Sequence, residues 1–393
     1  MMGRSMRVPA GGTHRRSRAA SGLVALLALL ALLAGGVAEA APGRGPAAAA
    51  GGRGAPAQAD QPQGGPPVTV MTRNLYLGAE LGPLFAAADQ QQLVAAASQV
   101  WANVLASDFP ARATVLAEEV ARERPLLLGL QEVSRFTAVG AAGTIDIDFL
   151  ALFLDALADR GLHYEVASVS PAFEGTLPAI DPTLGFVQAT LFDRDVILAR
   201  ADVPPAQLTV LREDHGLFDA GLTLPLPGAG PGATLRIDRG WQYVDVRVRN
   251  REFRFVNTHF EAFDPGEVVR VQQARELLAG PLATDLPVVV VGDVNSDAVT
   301  GGLAYRVLTG TGGLTDAWSV ARPGEPGLTC CLPGDLRGDT STLRSRIDLV
   351  LVGDGVRVRE AERVGLDPAL RTPSGLWPSD HAGVVARVQI TAR

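Results

Sequence analysis

The residues able to do chemistry in this chain sit in short polar clusters. Asn74 follows Met71-Thr72-Arg73, Glu132 follows Leu130-Gln131, and His259 follows Asn257-Thr258. Asp293 and Asn295 share Gly292-Asp293-Val294-Asn295, Asp348 lies in Arg346-Ile347-Asp348-Leu349, and Asp380-His381 closes Pro378-Ser379-Asp380-His381. Singly, each has an ordinary structural explanation. An Asp after a strand caps or turns the chain. Asn74 could be a satisfied turn amide, Glu132 a solvated charge, and either histidine a core group donating to backbone. Asp348 resists such a reading, because the apolar residues on both sides imply burial and a buried carboxylate needs a partner. Taken together, the carboxylates Glu132, Asp293, Asp348 and Asp380 would make a site dense in negative charge. Such a site is stable only with bound cations or shared protons. Oxygen ligands without cysteine favour a hard ion such as Mg²⁺, Mn²⁺ or Ca²⁺. The natural substrate for a hard ion in an open carboxylate site is a phosphate ester.

Strands must position these groups, and the pattern supplies them. Residues 68–72 and 126–130 read as short buried strands leading to Asn74 and Glu132. Residues 241–248 alternate apolar and polar, 252–257 follow after Asn250-Arg251, and together they read as a hairpin leading to His259. The continuous apolar run 288–291 is typical of a strand covered on both faces, and it leads into Asp293. Residues 347–352 and 382–390 are two further strands, one carrying Asp348 and one following His381. Helical spacing appears over 84–106, 111–124, 147–160 and 266–278. Residues 185–199 alternate and are expected to hold two strands meeting at Asp193-Arg194-Asp195. Residues 67–393 contain no internal repeat and no second linker, and read as one domain of sheets packed together under helices.

The segments Met71–Tyr76, Leu130–Val133, Asn257–Phe260, Gly292–Asn295, Ser345–Val352 and Pro378–His381 resemble, in order, the motifs of the endonuclease/exonuclease/phosphatase superfamily. That superfamily includes pancreatic-type deoxyribonucleases, AP endonucleases, inositol-polyphosphate 5-phosphatases and neutral sphingomyelinases. The resemblance implies an α/β fold, a four-layer sandwich of two packed mixed β-sheets flanked by helices on both outer faces. It implies that Glu132 is the main metal-binding carboxylate, that Asn74 sits beside the metal and the scissile phosphate, and that Asp380 is a further ligand to the metal or its water. His381 resembles the histidine that pairs with a buried Asp, here Asp348. Asp293 resembles the carboxylate that positions or deprotonates the nucleophile, Asn295 the amide that orients it, and His259 the general acid or a donor to a phosphate oxygen. The implied cofactor is Mg²⁺, or Mn²⁺ or Ca²⁺, and the implied reaction is hydrolysis of a phosphoester, first of all a diester.

Two positions steer the substrate. Tyr76 stands where AP endonucleases usually carry an Asp, and Ser134, followed by Arg135, stands where pancreatic-type nucleases carry an Arg. Residues 71–76, and Thr258-His259 followed by a helix containing Val271-Gln272-Gln273, look closer to secreted bacterial sphingomyelinases. The expected substrate is a phospholipid head group or a small phosphodiester. A nucleic acid, with the protein as an extracellular nuclease, comes next, then a phosphomonoester. A catalytically silent binding module on the same fold is the non-enzymatic rival. Tyr76 and Arg239 are candidate substrate-binding residues, and Arg239 could equally be a surface residue at a hairpin-entry turn.

Composition bounds the rest. The chain has 393 residues, 47% hydrophobic and 20% charged, enough for a sizeable core. Residues 1–40 place arginines ahead of the apolar run 23–34 and end in Ala38-Glu39-Ala40, the layout of a cleaved secretory signal. Arg15-Arg16 leaves the twin-arginine route open beside the general one. Residues 41–66, rich in Ala, Gly, Pro and Gln, read as a flexible linker. A secreted monomer, at most in peripheral contact with a membrane, is expected. The formal net charge is −7, and removing the five arginines and one glutamate of residues 1–40 deepens it to about −11. That balance opposes generic nucleic-acid binding, which relies on basic surface. The adjacent Cys330 and Cys331 read either as a vicinal disulfide or as two thiols, and cannot form a disulfide framework.

Overall fold

Alternation of side chains across the strands decides the layers of this fold. A computed structural model describes residues 65, 67–263 and 265–391. The export signal expected over 1–40, and the linker expected over 41–66 apart from Gly65, lie outside the described residues. In chain order the strands and helices are β1 (Val68–Asn74), α1 (Gly82–Ala86), α2 (Gln90–Ala106), α3 (Phe109–Glu123), β2 (Leu127–Gln131), β3 (Arg135–Gly140), β4 (Gly143–Asp148), α4 (Phe149–Ala158), β5 (Tyr164–Asp181) and β6 (Gly185–Arg200). There follow β7 (Thr209–Leu217), β8 (Leu222–Pro225), β9 (Thr234–Ile237), β10 (Gly240–Val248), β11 (Arg251–His259), α5 (Glu267–Ala279), β12 (Val288–Asp293), α6 (Leu303–Arg306), β13 (Thr315–Asp316), α7 (Ala317–Ala321), β14 (Asp348–Val352), β15 (Val356–Val364) and β16 (Gly383–Ile390).

Among the described residues, an eight-stranded sheet runs β15-β16-β1-β2-β6-β3-β4, with β5 paired to β6. A six-stranded sheet runs β13-β14-β12-β11-β10-β7, and β8 and β9 form a separate two-stranded piece. Successive residues of a strand face opposite sides, and the cores follow that rule. Val70, Leu127, Ile197, Phe255, Val289, Val291 and Val350 fill the layer between the two large sheets. Their neighbours Met71, Leu128, Val196 and Leu198 face outward onto α2, α3 and α4. On the other side, Val256, Val290, Leu349 and Leu351 face α5 and α6. Each such side chain contributes roughly 1.5–3 kcal/mol by leaving water. The result is the expected α/β four-layer sandwich.

The sheets approach closely at Gly129. A Cβ there would meet Val291 Cγ2 at 2.5 Å and Asn257 Oδ1 at 2.6 Å. The space admits a buried polar bridge: Gln131 Nε2 donates to Asn257 Oδ1 at 2.6 Å, and Asn257 Nδ2 donates to the Leu130 carbonyl at 3.0 Å. This bridge lies one residue below Glu132 and two below His259, so it sets the offset of the two sheets directly beneath the polar rim.

Two expectations are corrected. The two strands expected within 185–199 are one unbroken strand, β6, and Asp193-Arg194-Asp195 is not a turn. It stays continuous because β5 pairs along its length while β3 and then β2 pair with its other edge. The helix expected over 84–106 is two helices, since Asp89 adopts extended backbone and caps α2 by accepting from Gln92 N.

Candidate active site

Two parallel strand pairs bring the reactive residues to one end. β1 and β2 run parallel with Asn74 opposite Gln131, so Asn74 and Glu132 leave the first sheet side by side. β11 and β12 run parallel with His259 opposite Asp293, and antiparallel β14 sets Asp348 opposite Asp293. β16 pairs antiparallel with β1, Val384 opposite Thr72, so the residues just before it, Asp380 and His381, arrive at the same rim.

The backbone turns sharply there. Tyr76, Glu132 and Asn295 have φ of 58°, 54° and 47°, the left-handed region that costs a non-glycine residue about 1–2 kcal/mol. Side chains of the site hold those turns. Asn74 Oδ1 accepts from Tyr76 N at 2.8 Å, Glu132 Oε2 from Leu77 N at 2.7 Å, and Asp293 Oδ1 from Asn295 N at 3.0 Å.

The chemistry sits inside this frame. His381 Nδ1 lies 2.9 Å from Asp348 Oδ2, both groups buried, and 3.7 Å from Asp293 Oδ2. Burial opposes charge on His381, but Asp348, Asp380 and Asp293 outweigh it and hold the imidazolium well above the ordinary histidine range. Asp293, Asp348 and His381 bring ligand atoms within 4.8 Å of one another, a spacing that a hydrogen-bonded carboxylate–imidazole chain shares with a metal cluster. Asn74 Nδ2 donates to Glu132 Oε1 at 3.1 Å and to Asp293 Oδ2 at 3.2 Å, clamping two carboxylates from different sheets. With its oxygen bonded to Tyr76 N, Asn74 would ligate a cation only through that oxygen's second lone pair. Asn295 Nδ2 donates to the Phe260 carbonyl at 3.1 Å. Asp380 is pushed up to about 7 by burial, with Glu132 and Glu80 adding repulsion.

His259 behaves differently. Arg239 Nη1 donates to its Nδ1 at 3.2 Å, which assigns the ring proton to Nε2. Burial, and then the Arg239 charge, push its pKa down to about 4, so it is a neutral donor near pH 7. Its Nε2, 3.8 Å from Asp293 Oδ2, and the Nε of Arg239 are buried without a hydrogen-bond partner. Arg239 is therefore inside the site and not a surface residue. Tyr76 also lines the cavity, while its hydroxyl donates to the Gly334 carbonyl at 2.8 Å.

Several residues that shape the candidate site escaped the sequence reading. Asp195 is fully buried, 3.7 Å from His259 Nδ1, and pushed up to about 7 by burial. Asp193, bonded to Ser134 Oγ at 2.7 Å, is pushed up to about 6 by burial and by Asp195. Their signal was present: two acids two apart, hence on one strand face, ahead of the apolar Val196-Ile197-Leu198. Buried Arg112 donates to the carbonyls of Leu75, Tyr76 and Pro378, tying the Asn74 turn to the Asp380 segment. Arg73, paired with Glu119 at 3.0 Å, donates to the His381 carbonyl. Thr329 Oγ1 accepts from Ile347 N and Asp348 N. The next two residues, the disulfide-linked Cys330 and Cys331, line the cavity. Arg135 points away, to exposed Asp146.

Glu132, Asp293, Asn295, Asp380, His381, Arg239 and Tyr76 all open on one cavity of about 700 Å³, while Asn74, His259 and Asp348 stand behind its wall. The arrangement offers a carboxylate pair for a cation, a carboxylate–histidine pair for protons and an arginine for an oxyanion.

No curated protein sequence matches the chain. Among solved structures, an endonuclease/exonuclease/phosphatase family protein from Bacteroides thetaiotaomicron is 18% identical, with a TM-score of 0.49 over 82% of this chain and 95% of that one. A mannosyl-6-phosphatase of Bacteroides thetaiotaomicron VPI-5482 is 19% identical, TM-score 0.45, over 82% and 99%. TDP2 of D. rerio, complexed with a single-stranded DNA product, is 13% identical, TM-score 0.47, over 82% and 98%. The model of the Endonuclease/Exonuclease/phosphatase family matches residues 100–381, a span that takes in Glu132, His259, Asp293, Asp348, Asp380 and His381. The chain belongs to the endonuclease/exonuclease/phosphatase family.

Proposed function

We propose that the protein is an exported, divalent-metal-dependent phosphoester hydrolase acting on a phosphodiester, with a phospholipid head group or a similarly small diester as substrate. The observation that carries the reading is the 2.9 Å Asp348–His381 contact, placed so that His381 shares a cavity with Glu132 and Asp380. Members of the family are typically metal-dependent phosphoester hydrolases. The residues present fit a hard cation, because Glu132 and Asp380 offer oxygen donors, and positive charge relieves both the burial that raises Asp380 and the repulsion that adds to it. Mg²⁺ bound there would neutralise charge on the phosphoryl oxygens. Asp348 fixes the orientation of His381 through Nδ1 and leaves Nε2 to move a proton or hold a phosphate oxygen. Asp293, clamped by Asn74, positions the attacking water, with the Asn295 amide beside it. Arg239, on the cavity wall, supplies a preorganised positive charge to the phosphate, and His259 behind it holds the guanidinium in place.

Charge favours the lipid or small-diester reading over nucleic acid. Arg239 is the only Lys or Arg among the described lining residues, against Glu80, Glu132, Asp193, Asp238, Asp293 and Asp380. A polyanionic backbone needs the opposite balance. Export rests on the basic, apolar and Ala-x-Ala order of residues 1–40. Among the described residues no helix is long and apolar enough to cross a membrane.

The test is turnover of bis(p-nitrophenyl) phosphate with Mg²⁺. His381→Ala is expected to lower it by about 10²–10⁴-fold with an unchanged circular dichroism spectrum, and unchanged turnover overturns the site. Sphingomyelin and duplex DNA, at equal enzyme and Mg²⁺, separate the substrate readings. Cleavage of DNA alone sinks the lipid one. Amino-terminal sequencing of protein recovered from medium is expected to begin after Ala40.

A further inference from the structure

The catalytic groups occupy one end of the 700 Å³ cavity, and much of the remaining wall is hydrocarbon. Leu84 and Phe85 of α1, Trp101 of α2, Leu177 of β5, Leu191 of β6 and Leu226 after β8 form that wall. A phosphate, a water and a cation need none of it. The volume lies in the range of about 300–1,000 Å³ typical of sites for whole organic ligands.

We propose that this chamber seats the apolar part of the substrate, so that the protein takes up an amphiphilic phosphoester as a monomer, with one hydrocarbon chain inside the protein. The proposal rests on the hydrolase reading above and names the chemistry of the substrate's other half. Continuity is the first argument. Asp293, Asp380 and His381 line the same cavity as Leu177 and Leu226, so one ligand can span both. The second is construction. The β8–β9 piece belongs to neither large sheet, yet Leu226 beside it is buried with Ala87 and Leu93, and Leu84, Phe85 and Leu177 pack against them. The third is orientation. Trp101 Nε1 donates to buried Asp181 Oδ2 at 2.7 Å, so the polar edge of the indole is already bonded and its hydrocarbon is what meets the chamber. Such walls leave the hydroxyls of a sugar-rich or polyanionic substrate unpaired, which disfavours those substrates.

The experiment uses the full chain with Mg²⁺ and a series of non-hydrolysable n-alkylphosphonates, methyl to octyl, kept below micelle formation and titrated by calorimetry. Kd is expected to fall roughly fourfold per methylene. Ala189→Phe, which fills the chamber, and Leu177→Gln, which makes its wall polar, should flatten that slope and leave methylphosphonate binding unchanged. The unchanged short-chain binding reports that each variant is folded. A flat series in the unsubstituted protein overturns the proposal. A slope that survives both variants, or one that appears only when phosphatidylcholine vesicles are added, also overturns it. The p-nitrophenyl alkyl phosphodiesters of matching length test the underlying reading separately. Chain-length-dependent binding without turnover of any diester keeps the chamber and removes the hydrolase.

Discussion

The candidate catalytic side chains at the rim are held by neighbours that fix their positions. Asn74 clamps Glu132 and Asp293, Arg112 ties the turn after Asn74 to the segment before Asp380, and Arg73 fixes the His381 backbone. Asp181 does the same for Trp101 at the chamber wall. Hydrogen bonds from Thr183, then from Trp101 and the Leu184 amide, hold its carboxyl well below the usual carboxylate range. A carboxylate whose folded pKa is depressed stabilises the fold above its unfolded value near 4, and loses that contribution as pH falls toward the folded value. Asp181→Asn is therefore expected to lower stability by about 2 kcal/mol near pH 7, with the gap to the parent narrowing in acid below about pH 4. Urea unfolding across that range measures it, and a gap independent of pH would refute the role. At this scale the sequence exposed the residues whose surroundings were informative, such as Asp348 between apolar neighbours. It hid Asp195, because an acid–basic–acid triplet looks like a turn until a second strand is seen to pair along it.

Elements carry the site by ending together. The parallel pairs β1–β2 and β11–β12 each place two candidate site residues side by side at one edge, and the Gln131–Asn257 bridge locks the edges to each other. Gly129 permits that bridge. Gly129→Ala would drive a Cβ to 2.6 Å from Asn257 Oδ1, so a loss of about 1–3 kcal/mol is expected from overpacking. If the sheets shift to relieve it, Glu132 and Asp293 separate and turnover falls as well. Thermal unfolding and the bis(p-nitrophenyl) phosphate assay on the same sample test both. Parent-like values in each would mean that the close approach does not set the site. Strands were legible wherever alternation or an unbroken apolar run was strong, as in β10, β11 and β12. The β3–β4 hairpin, the long β5 and the β8–β9 piece were not, because half-exposed strands with mixed composition owe their form to the neighbour they pair with.

For the whole molecule, two sheets meeting at one rim create a charge problem and its remedy. Half-buried Glu132 and exposed Glu80 repel buried Asp380 in the absence of a cation. Mg²⁺ is thus expected to raise the melting temperature as its concentration exceeds its Kd, contributing about 2.7 kcal/mol at a hundredfold excess. Glu132→Gln should remove most of that response, and a chelator should return the parent to its metal-free melting temperature and abolish turnover. A melting temperature indifferent to Mg²⁺ would speak against Glu132 and Asp380 as ligands. The sequence alone determined which side chains could react and that they stood at strand ends, because burial pattern and strand period are local properties. It also placed the motifs in family order. Only the tertiary structure decided which ends meet. The contact that joins the sheets links residues 126 positions apart, and the one that pairs Asp348 with His381 spans 33. The buried Asp195, the neutral His259 under Arg239 and the hydrocarbon chamber beside the rim all arise from such apposition. Desolvation and partner charge act through space, and no spacing along the chain encodes them.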